Sequence, residues 1–434
     1  MKNAKILAVA VLASTTHAQS QLYGQCGGID WKGATACVSG SYCYKVNDCA
    51  AGSSIAVTIA KTTAKSTSTT LSTATKTSAG ATQVKSAPAA TNSANPIAGK
   101  AFYANPYYSS EIVSLAAPSL SAAGSAALAA KATNVAKVGT FYWLDVRAKV
   151  PTIATFAKDV QAKNAAGANL VLPLVVYDLP ERDCAALASN GELLLANNGA
   201  ALYQGYIDDI SAQIKAFPDV QFKCANAADA YKTLAQYAIK TLNLKNVVMY
   251  LDAGHAGWLG WTANLTPAAQ LFGQIYKAAG SPAAVRGLAT NVANYNAWSI
   301  STCPSYTQGN AVCDEKKYVN ALAPLLQAQG FPAHFITDTG RSGVQPTKQQ
   351  AWGDWCNVIG TGFGIRPSTS TDDPILDAYV WVKPGGECDG TSNTTAVRYD
   401  AHCGLEDALK PAPEAGSWFQ AYFAQLLTNA NPAF

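Results

Sequence analysis

The stretch FPDVQFKCANA, Phe217 to Ala227, decides how this 434-residue chain is read. It joins two segments that both read as helix. Elsewhere in the second half an apolar run follows each helix, and here none is visible. The other runs are FYWLDV (141–146), LVLPLVVYDLP (170–180), NVVMYLDAGH (246–255), VRGLATNVANY (285–295), AHFITDTG (333–340) and AYVWVKPGG (378–386). Each ends near a polar residue: Asp145, Asp178, Asp252, Asn294, Asp338 or Lys383. Segments such as PAAQLFGQIYKAAG (267–280) and KKYVNALAPLLQAQG (316–330) carry helical patterning between them. Alternating strand and helix implies a parallel sheet with helices outside it. At this length the expectation is an α/β fold, a distorted TIM-like β/α barrel that lacks one strand near Phe217. In a barrel the strand C-termini converge on one mouth, where chemistry sits.

Outward from that core the composition changes twice. Lys2 and Lys5 precede ILAVAVLA, and THAQ supplies small residues near Ala18, so residues 1–18 read as a secretory signal peptide and the protein as extracellular. Residues 19–50 hold Cys26, Cys37, Cys43 and Cys49, a spacing that suits a small disulfide-rich β module in an oxidising compartment. Residues 51–99 are dominated by Ala, Ser, Thr and Lys and read as an extended, O-glycosylated linker. Residues 100–434 are the globular domain. Asn264 and Asn393 open N-glycosylation sequons. Net charge is +4 and no basic stripe interleaves with aromatics, so nucleic acid is not an expected partner. No run after the signal suits a membrane span. There is no phosphate loop, no GxSxG elbow and no Cys/His cluster at zinc spacing, and of the 4 His one lies in the signal. The chemistry must rest on carboxylates, with no metal or other cofactor, in a chain expected to be monomeric.

VYDLPERDCAALASNG (176–191), LDAGHAGWLGW (251–261), ATNVANYN (289–296), GRSGVQPT (340–347), WGDWCNVIGTGFGIRP (352–367) and WVKPGGECDGTS (381–392) together resemble glycoside hydrolase family 6, in particular its fungal cellobiohydrolases of the type II class. YGQCGG (23–28) and CVSGSYC (37–43) resemble the fungal family 1 cellulose-binding module. The resemblance implies a secreted exo-acting cellulase that releases cellobiose from cellulose and inverts at the anomeric carbon. Inversion needs a protonated carboxyl at the leaving oxygen and a second carboxylate that activates water, ~6.5–9.5 Å away. Carried over residue by residue, it implies catalytic roles for four residues. Asp183 raises the acid's pKa, Asp389 is the base, Ser189 holds the water and Tyr177 lies beside the distorted sugar. Trp143, Trp258, Trp261 and Trp355 would stack sugar rings; His255, Asn294, Lys383 and Glu387 would bond hydroxyls. It implies disulfides Cys184–Cys224 and Cys356–Cys403, each closing one of two roofing loops, near 180–197 and 382–417. Cys303 and Cys313 are spaced for a further bridge, which leaves Cys388 as the odd thiol. In the small module Tyr23 is the platform residue, with Trp31 or Tyr44 beside it. A tyrosine pair expected before the last cysteine is absent from CYKVNDC (43–49).

The general acid of the family lies in Glu-Pro-Asp at a strand end, and no Glu-Pro-Asp occurs in this sequence. Asp219 and Asp229 are near in sequence, but neither follows an apolar run. Either the true gene product carries an additional segment, or the chain has lost its acid and is a catalytically inactive glucan binder. The first is favoured, because deleting a barrel strand should damage folding as well as chemistry. Sequencing the transcript across the codons for Phe217 to Cys224 separates the two. An insert encoding an apolar run and Glu-Pro-Asp is the expected result, and an uninterrupted match to this chain overturns it.

Overall fold

A computed structural model describes residues 94–183, 186–226 and 232–434, with backbone alone at 223–226 and at four short N-terminal strands. Tyr23, Trp31, Cys26, Cys37, Cys43, Cys49 and the Cys184–Cys224 bridge lie outside the described residues and side chains. The chain divides into two units, 1–89 and 90–434.

The second unit is built on an eight-stranded sheet. Its strands are β1 (Ala101–Phe102), β2 (Tyr142–Leu144), β3 (Leu170–Val176), β4 (Phe222–Asn226), β5 (Val247–Asp252), β6 (Val285–Thr290), β7 (His334–Asp338) and β8 (Leu376–Val380). They run in the order β8-β7-β6-β5-β4-β3, every pair parallel, with β1 and β2 both against β3. Helices α1 (Thr152–Ala165), α2 (Gly199–Lys215), α3 (Lys232–Thr241), α4 (Thr262–Ala278) and α5 (Glu315–Ala328) connect successive strands from β2 to β7. All six apolar runs form strands.

Strand side chains alternate between two cores, as the pleat demands. Leu172, Leu174, Val176, Val247, Met249, Leu251, Leu288 and Phe335 pack in the cluster that takes in the helices. Val171, Val175, Val248, Tyr250, Ala289, Ile336, Ala378 and Val380 fill the barrel interior. Between β2 and β8 the ladder stops. The seam is joined by Phe141 N–H donating to the Trp381 carbonyl at 3.1 Å and by Trp143 Nε1 donating to the Val382 carbonyl at 2.8 Å.

The expected missing strand is a correction. Phe222–Asn226 pairs with β3 from Leu172↔Phe222 to Val176↔Asn226, and with β5 from Phe222↔Val247 to Asn226↔Leu251. The physical reason is backbone satisfaction. Edges of β3 and β5 facing an empty slot, under helices, would leave buried N–H and C=O groups unpaired at about 1–3 kcal/mol each. The slot therefore recruits a segment with little strand character of its own. Buried Phe217 and Val220 anchor the approach, and Asn246 Nδ2 donates to both their carbonyls at 3.1 Å. Cys224 accordingly lies in β4. Bridges Cys303–Cys313 and Cys356–Cys403 are formed, and Cys388 is the buried free cysteine among the described residues.

Two register shifts tie the barrel floor. Arg286 is the extra residue between Val285 and Gly287 in β6, and Asp377 the extra one between Leu376 and Ala378 in β8. Arg286 Nε donates to Asp377 Oδ2 at 2.9 Å and Nη2 to Oδ1 at 3.1 Å, while the Tyr250 hydroxyl donates to Oδ2 at 2.6 Å. Removing one partner strands a buried charge, so Asp377→Ala is expected to cost about 3–5 kcal/mol, read as a fall in the thermal midpoint. An unchanged midpoint would show that the pair does not hold the floor.

Candidate active site

At the strand C-termini a cavity of about 520 Å³ opens. Of the residues singled out by sequence, Trp143, Tyr177, Ser189, Trp355, Lys383, Glu387 and Asp389 line it. Trp143 lies on β2, with its ring edge-on to Tyr177 at 4.8 Å. Tyr177 directly follows β3, and its hydroxyl donates to Asp183. Asp183 and Glu181 hold left-handed backbone (φ 52 and φ 54), a strained conformation for non-glycine residues. The turn they make is held by Arg182. Its guanidinium donates to the carbonyls of Asp145, Tyr177 and Ser189 and stacks on the Tyr177 ring at 4.3 Å.

Asp389 occupies the opposite wall. Its Oδ2 accepts from Arg341 Nη1 at 2.6 Å, the Tyr295 hydroxyl at 3.0 Å and Asn357 N at 2.9 Å; Lys383 Nζ stands 3.8 Å from Oδ1. Burial alone would raise this carboxyl, but Arg341, Lys383 and the hydrogen bonds outweigh it and hold Asp389 below the usual range. It is a carboxylate at neutral pH. Two loops meet over the cavity, where Arg398 Nη2 donates to the Ala188 carbonyl. The disulfide Cys356–Cys403 fastens the second loop.

His255, Trp258, Trp261 and Asn294 are not among the lining residues. The first three follow β5 in a short helix, Ala256–Leu259, and its flanks. His255 Nδ1 accepts from Gly257 N at 3.1 Å and faces Asn296 Nδ2 at 3.2 Å; burial pushes its pKa down to about 4, so the ring is neutral. Trp258 is 63% exposed, as a stacking platform requires, whereas Trp261 packs edge-on against Trp352 at 6.1 Å. Asn294 Oδ1 accepts from Tyr295 N at 2.8 Å. Asp219 is exposed in the turn that precedes β4, at the end of the strand away from the cavity. Asp229 lies outside the described residues.

Sequence reasoning missed Arg341, the partner that fixes Asp389. It lies three residues past β7 in the quoted GRSGVQPT, and a lone arginine just beyond a strand end was the available signal. It also missed Glu111. Burial, then the neighbouring Glu387, pushes this carboxyl up to about 8; Glu387 itself is pushed up to about 6 by burial. Unfolded, both titrate near 4.5. The folded state therefore keeps protons that the unfolded chain releases. Stability is full below about pH 4.5 and falls as pH rises through the folded values. The thermal midpoint should fall between pH 5 and 8, and Glu111→Gln should flatten that fall; an equal slope in the variant would place the titration elsewhere.

The model of the family described as "Glycosyl hydrolases family 6" matches residues 97–430, and that of the "Fungal cellulose binding domain" matches residues 22–49. The chain is 61% identical to 1,4-beta-D-glucan cellobiohydrolase C of Emericella nidulans over 99% of this chain and 98% of the relative. It is 53% identical to Exoglucanase-6A of Humicola insolens over 95% and 94%. The first alignment spans 449 positions, so that relative carries residues with no counterpart in these 434. The catalytic core domain of the cellobiohydrolase Cel6A from Chaetomium thermophilum superposes with a TM-score of 0.76 at 57% identity, covering 78% of this chain and 99% of that one.

Proposed function

The chain belongs to glycosyl hydrolase family 6, and from that membership we propose that it is a secreted cellulase that cleaves β-1,4-glucosidic bonds from chain ends, releasing cellobiose with inversion. The observation that carries this reading is the anchored Asp389. A carboxylate fixed by Arg341 and Lys383 at the wall of a cavity lined by Trp143 and Trp355 suits a base that takes a proton from water. Tyr177 and Ser189 on the facing wall position the sugar and that water, while Asp183, bonded to Tyr177, adds negative charge beside the site of protonation. Arg398 joins the two loops over the cavity, and a covered cavity favours threading a chain end over attack in mid-chain. Residues 22–49 add cellulose binding through Tyr23, with Trp31 beside it, and the linker keeps that module tethered. Trp258, Trp261, His255 and Asn294 extend the sugar path beyond the cavity.

A second reading rests on one observation: among the described residues β4 ends at Asn226 without a carboxyl, and no Glu-Pro-Asp follows it in the sequence. On that reading the chain binds glucan and does not cleave it. Incubating the purified chain with amorphous cellulose separates the two. Cellobiose is the expected product, and Asp389→Asn should lower its release by about 10²-fold or more. Binding of cello-oligosaccharide without turnover, even of a glycoside with an activated leaving group, would establish the binder.

A further inference from the structure

We propose that Asp252 is the proton donor of this chain, acting from β5, the strand beside the one whose end lacks a carboxyl; this rests on the hydrolase reading above. Val248 and Tyr250 pack inside the barrel, whereas Val247, Met249 and Leu251 pack outside it. Asp252, two residues beyond Tyr250 at the strand's C-terminus, therefore continues the inward series at the end that carries Tyr177. In the sheet order β8-β7-β6-β5, β5 stands three strands from β8, whose following loop carries Asp389. Donor and base thus belong to strands on different sides of the barrel mouth, as attack from the face opposite the leaving group requires.

The other carboxyls at this end are paired or placed elsewhere: Asp145 pairs with Lys149 Nζ at 2.5 Å, and Glu192 Oε1 accepts from Arg147 N at 3.0 Å. Asp389 is held by Arg341. Asp338 accepts from the backbone N–H groups of Gly340, Ala293 and Lys383 at 2.9, 3.1 and 3.1 Å. Asp183 accepts from Tyr177. Asp178 follows outward-facing Val176 by two residues and is fully buried behind Arg182. Glu387 sits two residues from Asp389 on the same loop, the base's own wall. Asp252 accepts from Gly254 N at 2.7 Å, a bond made possible by the left-handed φ of 57° at Gly254. Around Asp252 the charges that bear on its carboxyl are Asp183 and Asp338, both negative. Burial, with those two charges added, pushes it up to about 7, so a large fraction carries a proton at neutral pH.

In the step itself the Asp252 proton passes to the glycosidic oxygen, which keeps both electrons of the breaking C1–O bond. Water bonds to C1 from the opposite face and gives its proton to Asp389. Asp252 is left as a carboxylate and recovers a proton from solvent, while Asp389 releases to solvent the proton it took.

The test compares the full chain and Asp252→Asn on cellotetraose and on 2,4-dinitrophenyl cellobioside, whose leaving group needs little protonation. The variant should lose about 10²-fold or more on cellotetraose and at most about tenfold on the aryl glycoside. The alkaline limb of kcat/KM, near pH 7 in the parent, should vanish with it. Cellotetraose affinity measured by calorimetry reports on folding. If Asp252→Asn does not fold, Asp183→Asn serves instead: removing a like charge should move the limb to lower pH. Parental rates on cellotetraose with the limb in place overturn Asp252 as donor and leave the hydrolase reading standing. A parent that binds cellotetraose and cleaves neither substrate overturns both.

Discussion

Parallel strands hidden under helices leave their backbone groups no water to turn to, and that constraint organises the rest of this molecule. β3 and β5 each present an edge to the same slot, and Phe222–Asn226 fills it. A continuous ladder then fixes where every strand ends. Those ends set the positions of Tyr177, Asp252 and Asp338 at the strand C-termini, and the loop after β8 carries Asp389 from the far side. Ladder hydrogen bonds do not discriminate among side chains, so a sheet can be repaired by sequence that brings no chemistry with it. Fold and catalytic equipment are separable here because different parts of the residue supply them.

Much of the scaffold was legible because fully buried parallel strands leave a strong mark: LVLPLVV and NVVMYL have no other comfortable home. β4 was not legible. Of its residues only Phe222 is a large apolar one, and its extended backbone is imposed by its neighbours rather than by local preference. The same division runs through the site. Asp389 could be read from Glu-Cys-Asp, because the motif is local. Arg341 could not be assigned to it, because the pairing spans 48 positions and only the closed barrel brings the two together. His255, Trp258 and Trp261 form one sequence motif yet sit apart from the cavity, since the chain turns through a short helix after β5. Proximity in sequence was there a poor guide to proximity in space.

Acidic groups at the mouth are sorted by what surrounds them more than by type. Arg341 and Lys383 keep Asp389 ionised although it is largely buried, whereas burial, reinforced by neighbouring carboxylates, leaves Asp252 and Glu111 holding protons near neutrality. One end of the barrel thus holds carboxylates and carboxylic acids at the same pH, the condition that acid–base chemistry on a neutral sugar requires.

Cys388 lies within the same wall, and its consequence concerns oxidative durability. Burial pushes its thiol up to about 12, and its Sγ lies 3.1 Å from the Pro413 carbonyl oxygen and 3.3 Å from that of Gly390. Disulfide exchange requires thiolate, which at pH 7 would be about one part in 10⁵ for such a group. In the folded protein the leftover sulfur is therefore inert toward Cys356–Cys403, although Asn357 touches both: its Nδ2 lies 3.3 Å from Cys356 Sγ and its Oδ1 3.5 Å from Cys388 Sγ. Unfolding removes that protection and returns an ordinary thiol to the neighbourhood of a bridge. Heat damage should then be locked in by scrambled pairing, so the service life of this protein is governed by how rarely it opens rather than by how readily it refolds.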